Sequence, residues 1–336
     1  MTDIYIISGF LGAGKTTLIK TMVRSVFRDK KIVVIENDFG EAGIDAGLLR
    51  ECSLTVTSLN AGWICCSLTG DFEKALERIQ KDYAPDAIVV EPSGVGKLSD
   101  IARLCLKQED KGNLHLQRTI TVVDIRFFDK YLKNYGEFFK DQISYADLIL
   151  LSHQEECQKE IGRVKKSILD INPQARIEAD FWDSIPRPVF QYGPRNIALF
   201  KLGMEQTVSF VGGGRWKRLS MKPVQIRTGY RKDSKQKKGI LYRHFAREVF
   251  SAVTLECTEP LSEEQLRKKV LHVVKQADGE ILRGKGIVKS SPHSLIFHFM
   301  PGSLEIVPAN IEGNQLCFIG TGLDEQQIKT LFSEEL

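Results

Sequence analysis

The chain has 336 residues, a net charge of +4, 42% hydrophobic and 27% charged side chains. A length of this order divides into about two domains and buries a core that needs no disulfides, and the composition excludes a wholly disordered or fibrous protein. No apolar run approaches the roughly 18 residues of a membrane span. The first apolar run carries Asp3, lacks a basic flank and leads straight into a glycine-rich loop, so it reads as a strand rather than a secretory leader. Seven unevenly spread cysteines fit a reducing cytoplasm, where Cys65-Cys66 is a ligand or packing pair rather than a disulfide.

In chain order, DIYIIS predicts a strand, followed by a glycine loop and a helix from about Lys15. KIVVIEN and LTVTSL predict two more strands. DFEKALERIQKDY predicts an amphipathic helix with Phe72, Leu76 and Ile79 on one face. DAIVVE, RTITVVD and ADLILLS are unbroken apolar runs of the kind buried on both faces of a parallel sheet. Helical stretches lie between them, and a proline ends QKEIGRVKKSILDINP. This alternation predicts an α/β fold, a doubly wound and mostly parallel sheet with its ligand at the strands' carboxyl ends. Gly212 to Gly239 then carries ten Lys/Arg against Asp233, a local +9 that leaves the rest of the chain at −5. Without a nucleic-acid motif it reads as a solvated connector, and nucleic acid is not the expected partner. Beyond it come one helix, LSEEQLRKKVLHVVKQA, and the strands of ILRGKGIVKSS, SLIFHFM, SLEIVPA and QLCFIGTG, a smaller α+β domain. The expected division is 1–205, a basic linker 206–241, and 242–336.

Gly9-Phe10-Leu11-Gly12-Ala13-Gly14-Lys15-Thr16 fits G-x-x-x-x-G-K-[ST] between a strand and a helix. Glycines let backbone N–H groups turn inward around phosphates, and the following helix aims its positive end at them. Lys15 then meets the β- and γ-phosphates and the Thr16 hydroxyl ligates Mg²⁺, with Gly9, Gly12, Ala13, Gly14 and Thr17 completing the cradle. A second acid must order the metal's water shell. Glu91 ends Ile88-Val89-Val90 and precedes Pro92-Ser93-Gly94, where Gly94 lets backbone approach a γ-phosphate. Asp38, in Glu36-Asn37-Asp38-Phe39-Gly40-Glu41, is the other candidate.

GFLGAGKTT, ENDFGEAGID, NAGWICC, EPSGVG and ADLILLS, in this order and spacing, resemble the CobW-like branch of the SIMIBI-class P-loop GTPases, relatives of the hydrogenase and urease nickel-insertion GTPases. ILRGKGIVKSS and FIGTGLDEQQIKTLF resemble that branch's small C-terminal domain. The resemblance implies a slow GTPase and metallochaperone whose nucleotide state gates transfer of Zn²⁺ or Co²⁺, or of a metal-bearing cofactor, to a client protein. Relatives commonly dimerise, so a homodimer is implied too. Two departures matter. The family's metal motif is Cys-x-Cys-Cys, and here Trp63 stands in the first place, leaving Cys65 and Cys66. Two thiolates make a poor closed tetrahedral site. Glu36, Glu41, a histidine or a partner completes it, or the pair is a packed relic. The family reads guanine with Asn-Lys-x-Asp, whereas the aligned residues are Ser152-His153-Gln154-Glu155. Glu155 would take the aspartate's part with a longer arm and His153 would stack as the lysine stem does, so ATP stays open beside GTP.

His293 and His298, taken as one strand, would point to opposite faces and form no metal pair. Two rival readings stand beside the metallochaperone. One is an NTP-dependent activator or repair ATPase for a corrinoid or metalloenzyme partner, with no metal of its own. The other is a non-catalytic, nucleotide-gated scaffold.

Overall fold

Strands that are apolar at every position have no face to give to water, and in this protein they occupy the middle of a sheet covered on both sides. In this computed structural model the described residues are 1–36, 55–58, 69–112, 114–193, 249–310 and 313–334. The first part of the chain runs β1 (Thr2–Gly9), α1 (Lys15–Arg24), β2 (Ile32–Glu36), β3 (Thr55–Ser58), α2 (Thr69–Tyr83), β4 (Ala87–Glu91), α3 (Leu98–Asp110) and β5 (Leu114–Asp124). It continues through α4 (Phe128–Asn134), α5 (Gly136–Ser144), β6 (Leu148–Ser152), α6 (Ile161–Ile171) and β7 (Arg176–Glu178). The seven strands lie in the order β3-β2-β4-β1-β5-β6-β7, and every pairing is parallel. The order reverses at β1, which places a ligand crevice beyond its carboxyl end. The short β7 was not foreseen, because Arg-Ile-Glu is too brief and polar to carry a strand pattern.

The second part contains β8 (Ser251–Glu256), α7 (Glu263–Gln276), β9 (Glu280–Val288), β10 (Ser294–Met300), β11 (Ser303–Ala309), β12 (Gln315–Thr321) and α8 (Glu325–Ser333). Ser262 and Gln265 form a reciprocal capping box at the start of α7. The strands build an antiparallel sheet in the order β11-β10-β9-β12-β8. The expected boundaries at 205/206 and 241/242 lie outside the described residues.

Alternation along β12 divides the faces of this second sheet. Leu316 and Phe318 pack with Leu266, Val270 and Ile328 of α7 and α8. Cys317 and Ile319 belong instead to the core of the first domain. Phe250, just before β8, meets Tyr135 and Phe138 at ring-centroid distances of 5.4 and 5.2 Å. It also lies edge-on to Phe10 of the glycine loop at 6.2 Å. Glu280 at the start of β9 adds a polar clasp, accepting from Tyr135 Oη at 2.6 Å and from Lys130 Nζ at 2.8 Å. Phe250→Ala is expected to cost about 3–5 kcal/mol in thermal or denaturant unfolding. Amide exchange should rise first in β8 and β12 rather than in the parallel sheet.

Candidate functional site

The loop between β1 and α1 is built around positive-φ glycines. Gly14, the N-cap of α1, has φ +101°, and Gly12 has φ +69°. Neither position tolerates a side chain. A Cβ on Gly14 would stand 2.9 Å from Trp182 Cη2, and one on Gly12 would collide with the Met300 thioether. No side chain caps α1 and no acid lies in its first turn, so its leading N–H groups and positive dipole end are open to an anion.

Charged groups from three elements meet at this point. Lys15 is 5% exposed, donates to Phe10 O at 3.4 Å and lies 3.9 Å from Glu91 Oε1. Thr16 Oγ1 is 3.4 Å from both Glu91 carboxylate oxygens. Glu91 closes β4 and is the register partner of Glu36, the buried last residue of β2. Paired residues of parallel strands project to one side, so the two carboxylates leave the sheet together beside the phosphate loop. The structure brings the strand-end acid Glu91 together with Lys15 and Thr16.

Beyond Glu91, Gly94 packs so close to the loop that a Cβ there would stand 2.8 Å from Leu11 N. Gln142, fully buried on α5, donates to the carbonyls of Gly94 and Gly96 at 3.0 and 2.8 Å. Sequence reasoning missed this brace, since a glutamine inside a helical period carries no signal of what it will reach.

On the other side of β1, Ser152 ends β6 opposite Asp124 and donates to Val123 O at 3.5 Å. His153 follows with φ +57°. Its Nδ1 is 3.3 Å from Glu156 and its Nε2 is 3.7 Å from Asp124. Arg126 grips Asp124 through Nε at 3.1 Å and Nη2 at 2.8 Å. Glu155 is exposed. Trp182 donates to Leu151 O at 3.3 Å and packs on the α1 side of the sheet. Asp124, Arg126 and Trp182 were not singled out from sequence, because no local pattern ties them to residues about 30 positions away.

Asp38, Glu41, Trp63, Cys65, Cys66 and the basic 212–239 stretch lie outside the described residues. Among the described residues, no group of three His, Cys, Asp or Glu could hold a metal ion, and no helix is long and apolar enough to cross a membrane. One expectation is corrected. His293 and His298 do not share a strand, because β10 begins at Ser294 and His293 sits in the turn before it. His115 and His272 are each engaged locally, by Glu109 at 3.0 Å and Glu334 at 2.8 Å.

The loop geometry yields a direct test. Lys15→Ala should weaken binding of a magnesium nucleoside triphosphate by about tenfold to a hundredfold, the range of a hydrogen bond to a charged group. Gly14→Ala should abolish it, since both its φ and its contact with Trp182 forbid a methyl group. Equilibrium titration reads both, and unaltered binding in either variant would remove the loop from the site.

Residues 3–178 match the model of the CobW/HypB/UreG nucleotide-binding domain, and residues 250–336 match the cobalamin synthesis protein cobW C-terminal domain. The "Zinc chaperone CobW" of Pseudomonas aeruginosa is 30% identical over 217 residues, 55% of this chain and 58% of that one. The "Zinc-regulated GTPase metalloprotein activator 1" of Schizosaccharomyces pombe is 30% identical over 181 residues, 51% of this chain and 44% of that one. The chain spans about half the length of the curated relatives it matches. Among solved structures, the Zn(II)-bound YjiA GTPase from E. coli is 19% identical over 99% of this chain and 98% of that one, with a TM-score of 0.41. A phosphate loop at the head of a parallel sheet, an acid at the end of the next strand and the two matched domain models lead to one conclusion: the chain belongs to the CobW/HypB/UreG family of nucleotide-binding domains.

Proposed function

We propose that the chain is a P-loop NTPase, with GTP its expected nucleotide, that couples nucleotide binding and hydrolysis to delivery of a metal or metal-bearing cofactor to a client protein. The observation that carries this is the convergence of Lys15, Thr16 and Glu91 in front of the uncapped end of α1. The names of the relatives, zinc chaperones and a zinc-regulated GTPase, support GTP as nucleotide and zinc as cargo.

Thr16 Oγ1 and the Glu91 carboxylate are oxygen ligands, which suits a hard cation such as Mg²⁺. When bound there, Mg²⁺ would neutralise charge on the β- and γ-phosphates. Thr16 would hold it directly and Glu91 would order its waters, with Asp38 as the second acid and γ-phosphate contact. Lys15 would exchange its present acceptor, Phe10 O, for phosphate oxygens. Gly9, Gly12, Ala13, Gly14, Thr17 and Gly94 would supply the close backbone. The nucleoside would leave the phosphates away from β4, towards Ser152, His153, Glu155 and the indole of Trp182. Glu36, at the end of β2 beside Glu91, would connect this site to the cargo residues Cys65, Cys66 and Glu41. Nucleotide can move those groups only to the extent that it binds the two arrangements with different affinity.

Trp63 favours the rival reading of an NTP-dependent activator with no metal of its own, since it removes one of three thiolates. The two readings part in metal analysis. As a chaperone, the chain should bind Zn²⁺ more tightly as pH rises, because a thiolate and not a thiol is the ligand. Cys65→Ser with Cys66→Ser should abolish binding and Trp63→Cys should tighten it. Metal-free protein in all three, with and without GTP, would leave the activator.

Base selection is the second test. A carboxylate buried against guanine discriminates strongly, because the wrong base leaves it unpaired. With Ser152 in place of an asparagine and Glu155 exposed, GTP should be preferred over ATP by less than about a hundredfold, or roughly 2.7 kcal/mol. Competition titration reads the ratio, and a thousandfold preference would refute this account of the base site.

A further inference from the structure

Lys285 is a lysine with no exposed surface, and the P-loop chemistry does not use it. It lies mid-strand on β9, opposite His298 of β10 and Cys317 of β12. Cys317 faces the first domain, and residues directly across a ladder share a face, so Lys285 faces the first domain as well. Two residues beyond His298 on that face is Met300, whose thioether covers Gly12 of the phosphate loop. Burial pushes the pKa of the Lys285 ammonium down to about 8, against which Cys317 and Glu36 favour its charge while Lys15 opposes it. The buried face of β9 that carries Lys285 is thus turned to the phosphate loop, within electrostatic reach of Lys15 and of the strand-end Glu36.

Burying an ammonium is costly unless it is paired. A second cation close by raises that cost, and a sheet built only for packing would place an apolar residue here. We propose that Lys285 is a positioning residue that couples the phosphate site to the C-terminal sheet in cis, so that negative charge arriving at Lys15 draws β9 and β12 more firmly onto Glu36 and the glycine loop. This rests on the phosphate loop binding a nucleotide. Before binding, Lys15 and Lys285 compete for the nearby carboxylates. A bound triphosphate takes over the pairing of Lys15, relieves the repulsion and leaves Glu36 to Lys285. Linkage then runs both ways: if nucleotide tightens the sheet, the sheet's lysine tightens nucleotide. The C-terminal domain would thus be the part of the chain whose docking reports the nucleotide state to a client.

The test uses the full chain as wild type, Lys285→Met and Lys285→Arg, with MgGTP and MgGDP as ligands. Dissociation constants and amide exchange across β9 and β12 are measured. MgGTP should slow exchange in both strands of the wild type. Lys285→Met, close in volume and without charge, should lose that protection and bind MgGTP about tenfold more weakly, within the usual range of coupling between sites. A Lys285→Met chain that stays folded without ligand, checked by its melting curve, while losing both readouts separates lost coupling from lost folding. Lys285→Arg should recover most of both readouts. Wild-type protein that binds MgGTP with unchanged exchange in β9 and β12 overturns the proposal, as does a Lys285→Met chain matching the wild type in affinity and protection. If Lys285→Met does not fold, the wild-type exchange pattern still decides. A wild-type chain that binds no nucleotide overturns the nucleotide reading and this proposal with it.

Discussion

The ring of Phe10 is the contact on which the arrangement at the phosphate loop depends. Glycines held at positive φ bring no side chains to fix a loop, and ordering such residues costs more backbone entropy than any other. Phe10 is 1% exposed and lies 4.3 Å from the ring of Tyr131 and 5.4 Å from that of Tyr135. One side chain at a position the motif leaves free thus pins the loop to α4 and α5. The same ring meets Phe250 of the second domain. A loop shaped to leave a space for phosphate is held from behind by apolar contact, which is unaffected by the charge that enters in front.

Electrostatics then act on a frame that packing has already set. Parallel strands end at one level, so adjacent strands deliver their last side chains to one edge. Glu36 and Glu91 reach the loop because β2 and β4 are paired in register up to those residues. Lys15 arrives from the first turn of α1 and Lys285 from a different sheet. Each charge would be expensive alone in so dry a place, and together they offset one another. Lys15 lies 3.9 Å from Glu91, a carboxylate that a divalent metal would also attract.

Much of this was legible in the sequence, and the parts that were not share a cause. Unbroken apolar runs located β1, β2, β4, β5 and β6, since burial on both faces leaves no polar residue to confuse the pattern. Lys15 and Thr16 were singled out by the spacing of the motif and Glu91 by its place at the end of an apolar run, and the structure brings the three together. Gln142, Trp182, Phe250 and Lys285 were missed. Each acts on residues far away in sequence, from about 30 positions for Trp182 to nearly 250 for Lys285, and nothing within a helical or strand period specifies such a partner. The β7 strand and the turn before β10 failed for a different reason. Short segments carry too few residues for a period to be read.

The two ends of the nucleotide crevice are built on opposite principles. At the phosphate end the positions are fixed by glycine geometry, a buried lysine and a glutamine brace from α5, none of which has room to adjust. At the other end His153 holds a positive φ while its ring is shared between Glu156 and Asp124, and Arg126 draws both acids together. That cluster satisfies its own charges within the protein, so a base gains little by replacing any of them. An aromatic face such as that of Trp182, were a base to stack on it, would accept every base through its π-surface and read none of them. On the reading proposed above, affinity would reside with the phosphates, and the crevice would respond to their number more than to the base they carry.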